Sequence, residues 1–233
     1  MISTQWVSIP NGAATQTEAY LALPPGGKGP GLLLFQEIFG VNGHIRAVAE
    51  QYAQAGYVVL VPDMFWAQAP RVELGYSGDD LAKAYLLMDG CNQDALILDI
   101  RAYAAALRAR PELIFPGDGA RIGAVGYCMG GRMAYFAAAH ADTAAAVCYY
   151  GGRIQNYLDL APSIEGALQF HYGAKDSMIP LSALDAVREA HPSADVNVYD
   201  ADHGFNCWER ASFNPASARV AFAMSAEFFA QHL

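Results

Sequence analysis

The stretch Gly-Tyr-Cys-Met-Gly-Gly, residues 126–131, joins a strand-like run over residues 121–126 to a helix-like run over residues 132–140. A G-x-C-x-G pattern between a strand and a helix is the layout of a nucleophile elbow, with a thiol where a serine hydroxyl usually stands. Gly126 and Gly130 suit such a turn, because side chains there would collide with neighbouring backbone. Cys128 would lie at a helix N-terminus, where the dipole favours a thiolate. The alternative is a buried cysteine in a glycine-rich turn.

Apolar runs and helical spacings alternate along the rest of the chain. Runs that are apolar throughout are typical of strands buried on both faces of a parallel sheet. Asn11-Gly12 separates two N-terminal strands and predicts a hairpin turn. We therefore predict one domain over residues 1–233, with a mostly parallel sheet, helices on both faces and an antiparallel N-terminal hairpin. The predicted strands cover residues 5–9, 17–23, 31–37, 57–63, 121–128, 144–150, 167–173 and 196–199, the helices cover residues 44–54, 81–88, 95–108, 131–139, 182–190 and 215–229, and residues 151–166 form a loop.

The composition argues against several classes of partner. Hydrophobic residues make up 54% of the chain and charged residues 16%, as in a compact globular protein. The net charge is −9 and no Lys/Arg run is present, so neither nucleic acid nor a membrane surface is an expected partner. We see no signal peptide or membrane-length apolar run, which predicts a cytoplasmic protein. The four cysteines are widely spaced, so we expect free thiols and no metal. We also expect a monomer or small homo-oligomer.

Two further residues follow predicted strands in an order that suggests a catalytic triad. Asp176 follows the strand over residues 167–173, and His203 follows the last strand. In a doubly wound sheet the active residues gather at the carboxyl ends of the strands. The order nucleophile, acid, histidine predicts that His203 takes the thiol proton of Cys128 and that Asp176 orients the imidazole. Asp176 as a helix cap and Asp202 as a competing acid are the alternatives.

A carboxylate and two backbone amides complete the predicted site. Glu37 closes an apolar strand, where a charge is costly unless it is paired. It is either a structural ion pair or a group that influences thiol ionisation. The N–H groups of Ile38 and Met129 form the predicted oxyanion hole. Of the other histidines, we expect His171 to lie in the core. On or near helices, solvent is the expected neighbour of His44, His140, His191 and His232.

These motifs together resemble the dienelactone hydrolase (carboxymethylenebutenolidase) family, a cysteine branch of the α/β-hydrolases. The resemblance covers nearly the whole chain and implies an α/β-hydrolase fold. It implies a cofactor-free hydrolase that opens a lactone or ester through an acyl-cysteine, with Glu37 setting the ionisation of the thiol. It also places Tyr85 and Tyr150 near the substrate pocket. The matching segments are residues 36–42, 126–131 and 149–151, the Asp176 turn, and residues 201–205.

The chain departs from the family at two arginines that hold the carboxylate of dienelactone. Leu81 stands at one of these positions, and Asn206-Cys207-Trp208 occupies the region of the other. Loss of such a clamp removes charge-assisted hydrogen bonds worth about 1.5–3 kcal/mol each, so we expect a substrate other than dienelactone. Arg71 or Arg210 is a candidate replacement from a nearby loop.

Aromatic residues near the predicted site suggest a less cationic pocket that suits a neutral or bulkier ester. Phe39 and Trp208 join Tyr85 and Tyr150 as the predicted substrate-binding residues, although aromatic residues also pack cores. A small-molecule ester or lactone is the expected partner. The alternative function is a non-catalytic ligand-binding or thiol-sensing protein on the same fold.

Overall fold

Eight strands form one sheet in the computed structural model, which describes residues 1–233. The order across the sheet is β1-β2-β4-β3-β5-β6-β7-β8. All neighbouring pairs from β4 to β8 are parallel, whereas β2 is antiparallel to both β1 and β4. The strands are β1 (Ser3–Pro10), β2 (Gln16–Leu23), β3 (Gly31–Phe35), β4 (Val58–Pro62), β5 (Ile122–Tyr127), β6 (Ala145–Tyr149), β7 (Ala167–Gly173) and β8 (Asp195–Tyr199).

Six α-helices and one 3-10 helix connect and cover the strands. Every residue of β3, β4, β5 and β6 is buried, which requires cover on both faces of the sheet. The predicted fold class is therefore confirmed. The helices are α1 (Gly43–Gln54), α2 (Gly78–Asp89), α3 (Gln93–Arg108), α4 (Met129–His140), α5 (Leu181–Ala190) and α6 (Pro215–His232), and the 3-10 helix is Ile154–Ser163.

Two local predictions differ from the structure. The N-terminal hairpin closes through five residues, 11–15, instead of a two-residue turn at Asn11-Gly12. The Asn11 side chain organises this longer loop, because its Oδ1 accepts from the backbone N–H groups of Ala13 and Thr15, each at 3.1 Å. The segment predicted as a loop contains the 3-10 helix, which is kinked at Tyr157 and therefore lacks a regular apolar spacing.

The hydrophobic core is one cluster of 66 buried residues between the sheet and its helices. A core of this size holds the carboxyl ends of β3, β5, β7 and β8 in fixed positions, and the predicted site residues follow those strands. No helix in the chain combines the length and the apolar composition needed to cross a membrane.

Candidate active site

Cys128 lies in the sharp turn between β5 and α4, with φ of 56° and ψ of −116°. A non-glycine residue at positive φ is strained, and such strain persists only where the surrounding structure enforces it. Close backbone contacts supply that enforcement. A Cβ on Gly126 would lie 1.9 Å from the carbonyl oxygen of Gly130, and one on Gly130 would lie 2.2 Å from that of Phe35. The turn can therefore keep this geometry only with glycine at both positions.

The three residues of the predicted triad meet at the carboxyl edge of the sheet. His203 Nε2 lies 3.1 Å from Cys128 Sγ, and His203 Nδ1 lies 2.7 Å from Asp176 Oδ2. Burial lowers the pKa of His203, but the hydrogen bonds to Asp176 and Cys128 outweigh burial and raise the pKa to about 10. The geometry thus suits transfer of the thiol proton to an imidazole that is held by a carboxylate.

Asp176 is the carboxylate that contacts the imidazole of His203, and neither alternative for these carboxylates fits the structure. Asp176 does not cap α5, whose N-cap residue is Pro180. The exposed Asp202 accepts from the backbone N–H of His203 at 2.6 Å instead of contacting the imidazole ring.

Glu37 is buried just beyond β3 and contacts Arg210, where Oε1 accepts from Nη1 at 3.2 Å. Burial raises the pKa of the Glu37 carboxyl, although the positive charges of Arg210 and His203 oppose that shift. The second carboxylate oxygen, Oε2, is buried and has no hydrogen-bond partner. A buried carboxylate with only one oxygen hydrogen-bonded is costly, so the contact with Arg210 is the one bond that offsets the burial of this charge.

The expectation of a solvent-facing position is wrong for His191, which is buried, and for His44, which is fully buried. Helix α1 directs it toward the core, where its ring packs edge-on against Trp208 with centroids 4.2 Å apart. Burial lowers its pKa to about 4, and neither ring nitrogen has a hydrogen-bond partner. Ligand atoms of Glu37, His44 and Cys207 lie within 4.8 Å of one another, but the Arg210 guanidinium beside Glu37 opposes a metal cation there. His171 lies in the core, as expected.

The two predicted oxyanion donors line the same pocket as Cys128. The backbone N–H of Ile38 donates to no protein acceptor. Met129 is the first residue of α4, so its N–H has no acceptor within the helix. Both amides are therefore available to an oxygen bound next to the thiol.

The pocket above Cys128 has a volume of about 290 Å³. Phe39 and Tyr85 line it, as does Leu81. Tyr150 and Trp208 do not: Tyr150 is buried with its ring 5.1 Å from that of His203, and Trp208 packs on His44. Tyr150 thus packs against the imidazole of His203 without lining the pocket.

The pocket is more cationic than the sequence suggested, because Arg132, Arg153 and Arg210 all line it. Of the two candidate replacements for the missing clamp, Arg210 reaches the site. Arg71 does not, since it stacks on Trp6 at 3.9 Å and lies 3.5 Å from Glu18. Arg132 was not predicted as a pocket residue, although its place in the first turn of the helix that follows Cys128 was the available signal. Arg153 follows β6 in a segment that carries no motif.

The sheet order and the strand-end triad define this protein as an α/β-hydrolase. The family model for the dienelactone hydrolase family matches residues 17–233. The carboxymethylenebutenolidase of Pseudomonas sp. (strain P51) is 32% identical, over 96% of this chain and 94% of that protein. A Klebsiella pneumoniae structure named "Putative Dienelactone Hydrolase" aligns with a TM-score of 0.86 and 31% identity, over 99% of each chain. The chain belongs to the dienelactone hydrolase family and is a hydrolase of carboxylic esters or lactones.

Proposed function

We propose that the protein hydrolyses a lactone or carboxylic ester through an acyl-cysteine intermediate on Cys128. The contact that carries this proposal is the 3.1 Å approach of Cys128 Sγ to His203 Nε2, with His203 held at 2.7 Å by Asp176. Cys128 and His203 line a pocket with two available amide donors, and Asp176 lies buried behind the imidazole. A thiol, a base, an orienting acid and oxyanion donors are the full set that acyl transfer requires.

In the acylation half, His203 accepts the thiol proton and the Cys128 sulfur attacks the carbonyl carbon. The carbonyl oxygen becomes an oxyanion, which the N–H groups of Ile38 and Met129 stabilise. When the tetrahedral intermediate collapses, the C–O bond to the leaving alcohol breaks. The alkoxide takes the proton from His203, leaving a thioester on Cys128 and a neutral imidazole.

In the deacylation half, His203 removes a proton from water as the water oxygen attacks the thioester carbonyl. Collapse of the second tetrahedral intermediate breaks the C–S bond and releases the carboxylic acid. The proton on His203 returns to the thiolate, so the enzyme ends as it began. Asp176 stays ionised throughout and stabilises the imidazolium that forms twice in each cycle.

Glu37 tunes the thiol and imidazole through Arg210 in this proposal. Its carboxylate is near enough to His203 to influence the charge there, and it is tied to Arg210 on one oxygen only. A substrate oxygen that binds Arg210 would compete with Glu37 for the guanidinium. Release of Glu37 would then change the field at the Cys128–His203 pair when substrate is present.

The preferred substrate is an ester or lactone other than dienelactone itself. Leu81 lines the pocket, where the family resemblance implies an arginine, so that wall is apolar in this chain. The guanidinium groups that are present approach the thiol from α4, from the segment after β6 and from the segment after β8. The carboxylate of dienelactone would therefore find the guanidinium groups at positions other than those of the two arginines that the family resemblance implies.

A hydrolysis panel tests the function. It contains an aryl acetate, a neutral lactone and dienelactone, and it compares wild type with Cys128→Ala. We expect a loss on the order of a thousandfold or more on every substrate that wild type cleaves. Cys148→Ala removes a buried thiol from β6 and is the matched control that keeps activity. Full activity of Cys128→Ala would exclude the acyl-cysteine mechanism, and peroxide-sensitive Cys128 without any turnover would favour the thiol-sensing alternative.

A further inference from the structure

We propose that Arg132 and Arg153 form an anion subsite in the pocket, which binds a carboxylate group of the substrate. The inference rests on the proposed hydrolase function and specifies the class of ester that it acts on. The subsite is separate from Arg210, whose guanidinium already contacts Glu37 at 3.2 Å.

Helix α4 places Arg132 beside the nucleophile. Cys128 immediately precedes α4, and Arg132 lies in the first turn of that helix. Both residues line the pocket of about 290 Å³. Arg132 also lines an adjoining cavity of about 190 Å³, and Arg153 lines both spaces as well. The two guanidinium groups therefore share one extension of the substrate pocket.

The charge of Arg132 is not satisfied within the protein. Its Nε is buried without a hydrogen-bond partner, and its closest polar contact is Nη1 to the carbonyl oxygen of Gly152 at 3.5 Å. Neither Arg132 nor Arg153 has a carboxylate within 4.0 Å, whereas Arg46, Arg110 and Arg210 are all paired. Burial lowers the pKa of Arg132, and the nearby charge of Arg153 lowers it further. An unpaired, half-buried guanidinium is costly, and a bound anion would offset that cost.

Arg153 adds a second, independent feature. It adopts the left-handed region with φ of 66°, where a non-glycine residue costs about 1–2 kcal/mol. Glycine would adopt this conformation without the strain that a side chain adds. The strain lies in the segment between β6 and the 3-10 helix, next to Gly152, which also lines the pocket.

The occupant is anionic because the main pocket is lined by three arginines and by no Asp or Glu, although the chain as a whole has a net charge of −9. Asp89 lines only the adjoining cavity and forms no ion pair with Arg132 or Arg153. A planar carboxylate matches the forked donors of two guanidinium groups. The alternative role for Arg132 is to stabilise the Cys128 thiolate alone, which would affect charged and neutral substrates equally.

Two pairs of esters separate these roles. Meta-acetoxybenzoate and meta-acetoxybenzamide carry the acid or its neutral analogue on the leaving group. Para-nitrophenyl hydrogen adipate and methyl para-nitrophenyl adipate carry it on the acyl group. The readout is the ratio of kcat/KM for the charged ester to that for the neutral ester. The pair that responds shows on which side of the scissile bond the subsite lies.

We expect Arg132→Gln and Arg153→Gln each to lower this ratio about tenfold in the same pair, as expected for a charge-assisted hydrogen bond. Arg132→Lys keeps the charge and should retain part of the ratio. Arg219→Gln is the matched control. Arg219 is exposed on α6, so this substitution removes the same charge far from the pocket. Its ratio should equal that of wild type.

Unchanged ratios in both pairs, or equal losses on charged and neutral esters, would overturn the subsite while the hydrolase function stands. Full activity of Cys128→Ala would instead overturn the mechanism. Calorimetric titration of meta-acetoxybenzoate into Cys128→Ala measures binding without turnover. Binding that weakens when Arg132→Gln is added supports the subsite, and equal affinity in both proteins contradicts it.

Discussion

Asp176 uses both carboxylate oxygens, which fixes the orientation of His203. Oδ2 lies 2.7 Å from His203 Nδ1, and Oδ1 accepts from the backbone N–H of Met178 at 2.8 Å. The carboxylate is fully buried, so the pair is shielded from water. A buried carboxylate whose two oxygens both accept hydrogen bonds holds the imidazole in one tautomer, with Nε2 directed at Cys128.

We predict that Asp176→Asn lowers the pKa of His203 from about 10 toward its ordinary value of 6.5. The hydrogen bond to Asp176 raises that pKa, and a neutral amide cannot stabilise the imidazolium in the same way. Turnover should fall by about 10²-fold or more, because the amide also favours the wrong tautomer. NMR titration of the His203 ring protons measures the pKa, and a hydrolysis assay measures the rate.

The neighbouring acid provides the control for this substitution. Asp202→Asn alters an exposed side chain that contacts only the backbone N–H of His203, at 2.6 Å. It should leave the ring pKa and the rate close to wild type. If Asp202→Asn caused the larger loss, the assignment of Asp176 as the orienting acid would be wrong.

Residue type and position after a strand were sufficient to predict the geometry of Cys128, Asp176 and His203. The pattern could not reveal Arg153, because its side chain enters the pocket from a segment without periodicity. His44 was misjudged for a related reason. A polar residue at the start of a helix is usually exposed, and only the packing of α1 against the core decides otherwise.

The strand–turn–helix unit of β5 and α4 depends on two glycines that touch backbone atoms. A Cβ on Gly126 would meet the carbonyl oxygen and carbon of Gly130 at 1.9 and 2.2 Å, and backbone atoms cannot rotate away. The unit also carries Cys128 at positive φ. The elbow therefore tolerates no added side chain without moving the nucleophile.

We predict that Gly126→Ala lowers the free energy of unfolding by about 1–3 kcal/mol, as overpacking in a well-packed region does. It should also reduce activity, because the displaced turn moves Cys128 away from His203. Urea unfolding followed by fluorescence measures the first effect. Gly119→Ala is the control, since a Cβ there meets nothing within 4 Å. Equal stability of the two variants would show that the turn adapts.

At the level of elements, apolar runs identified the buried strands because both faces of β3 to β6 are covered. The same principle explains the failures. A short 3-10 helix makes few regular contacts, so it leaves no periodic signal, and a five-residue hairpin loop depends on side-chain bonds of Asn11. The spacing of apolar residues predicts which segments are buried, but it does not predict structure that depends on local hydrogen bonds.

The folded protein buries two histidines in their neutral form. His44 and His171 are both fully buried, and burial lowers their pKa values to about 4 and about 3. The unfolded chain binds a proton at each residue as the pH falls below 6.5, whereas the folded protein does not. The contribution of these two residues to folding stability therefore decreases as the pH falls through this range.

We predict that His44 alone accounts for about 2 kcal/mol of the stability lost between pH 7 and pH 5. The loss begins below 6.5, the ordinary pKa, and ends near the folded-state pKa of about 4. His44→Phe removes the titrating group and keeps an aromatic ring against Trp208, so its stability should fall less over the same interval. Urea unfolding at both pH values measures this, with His232→Gln at the end of α6 as the control. If His44→Phe lost as much stability as wild type, the His44 ring would be protonated in the folded core.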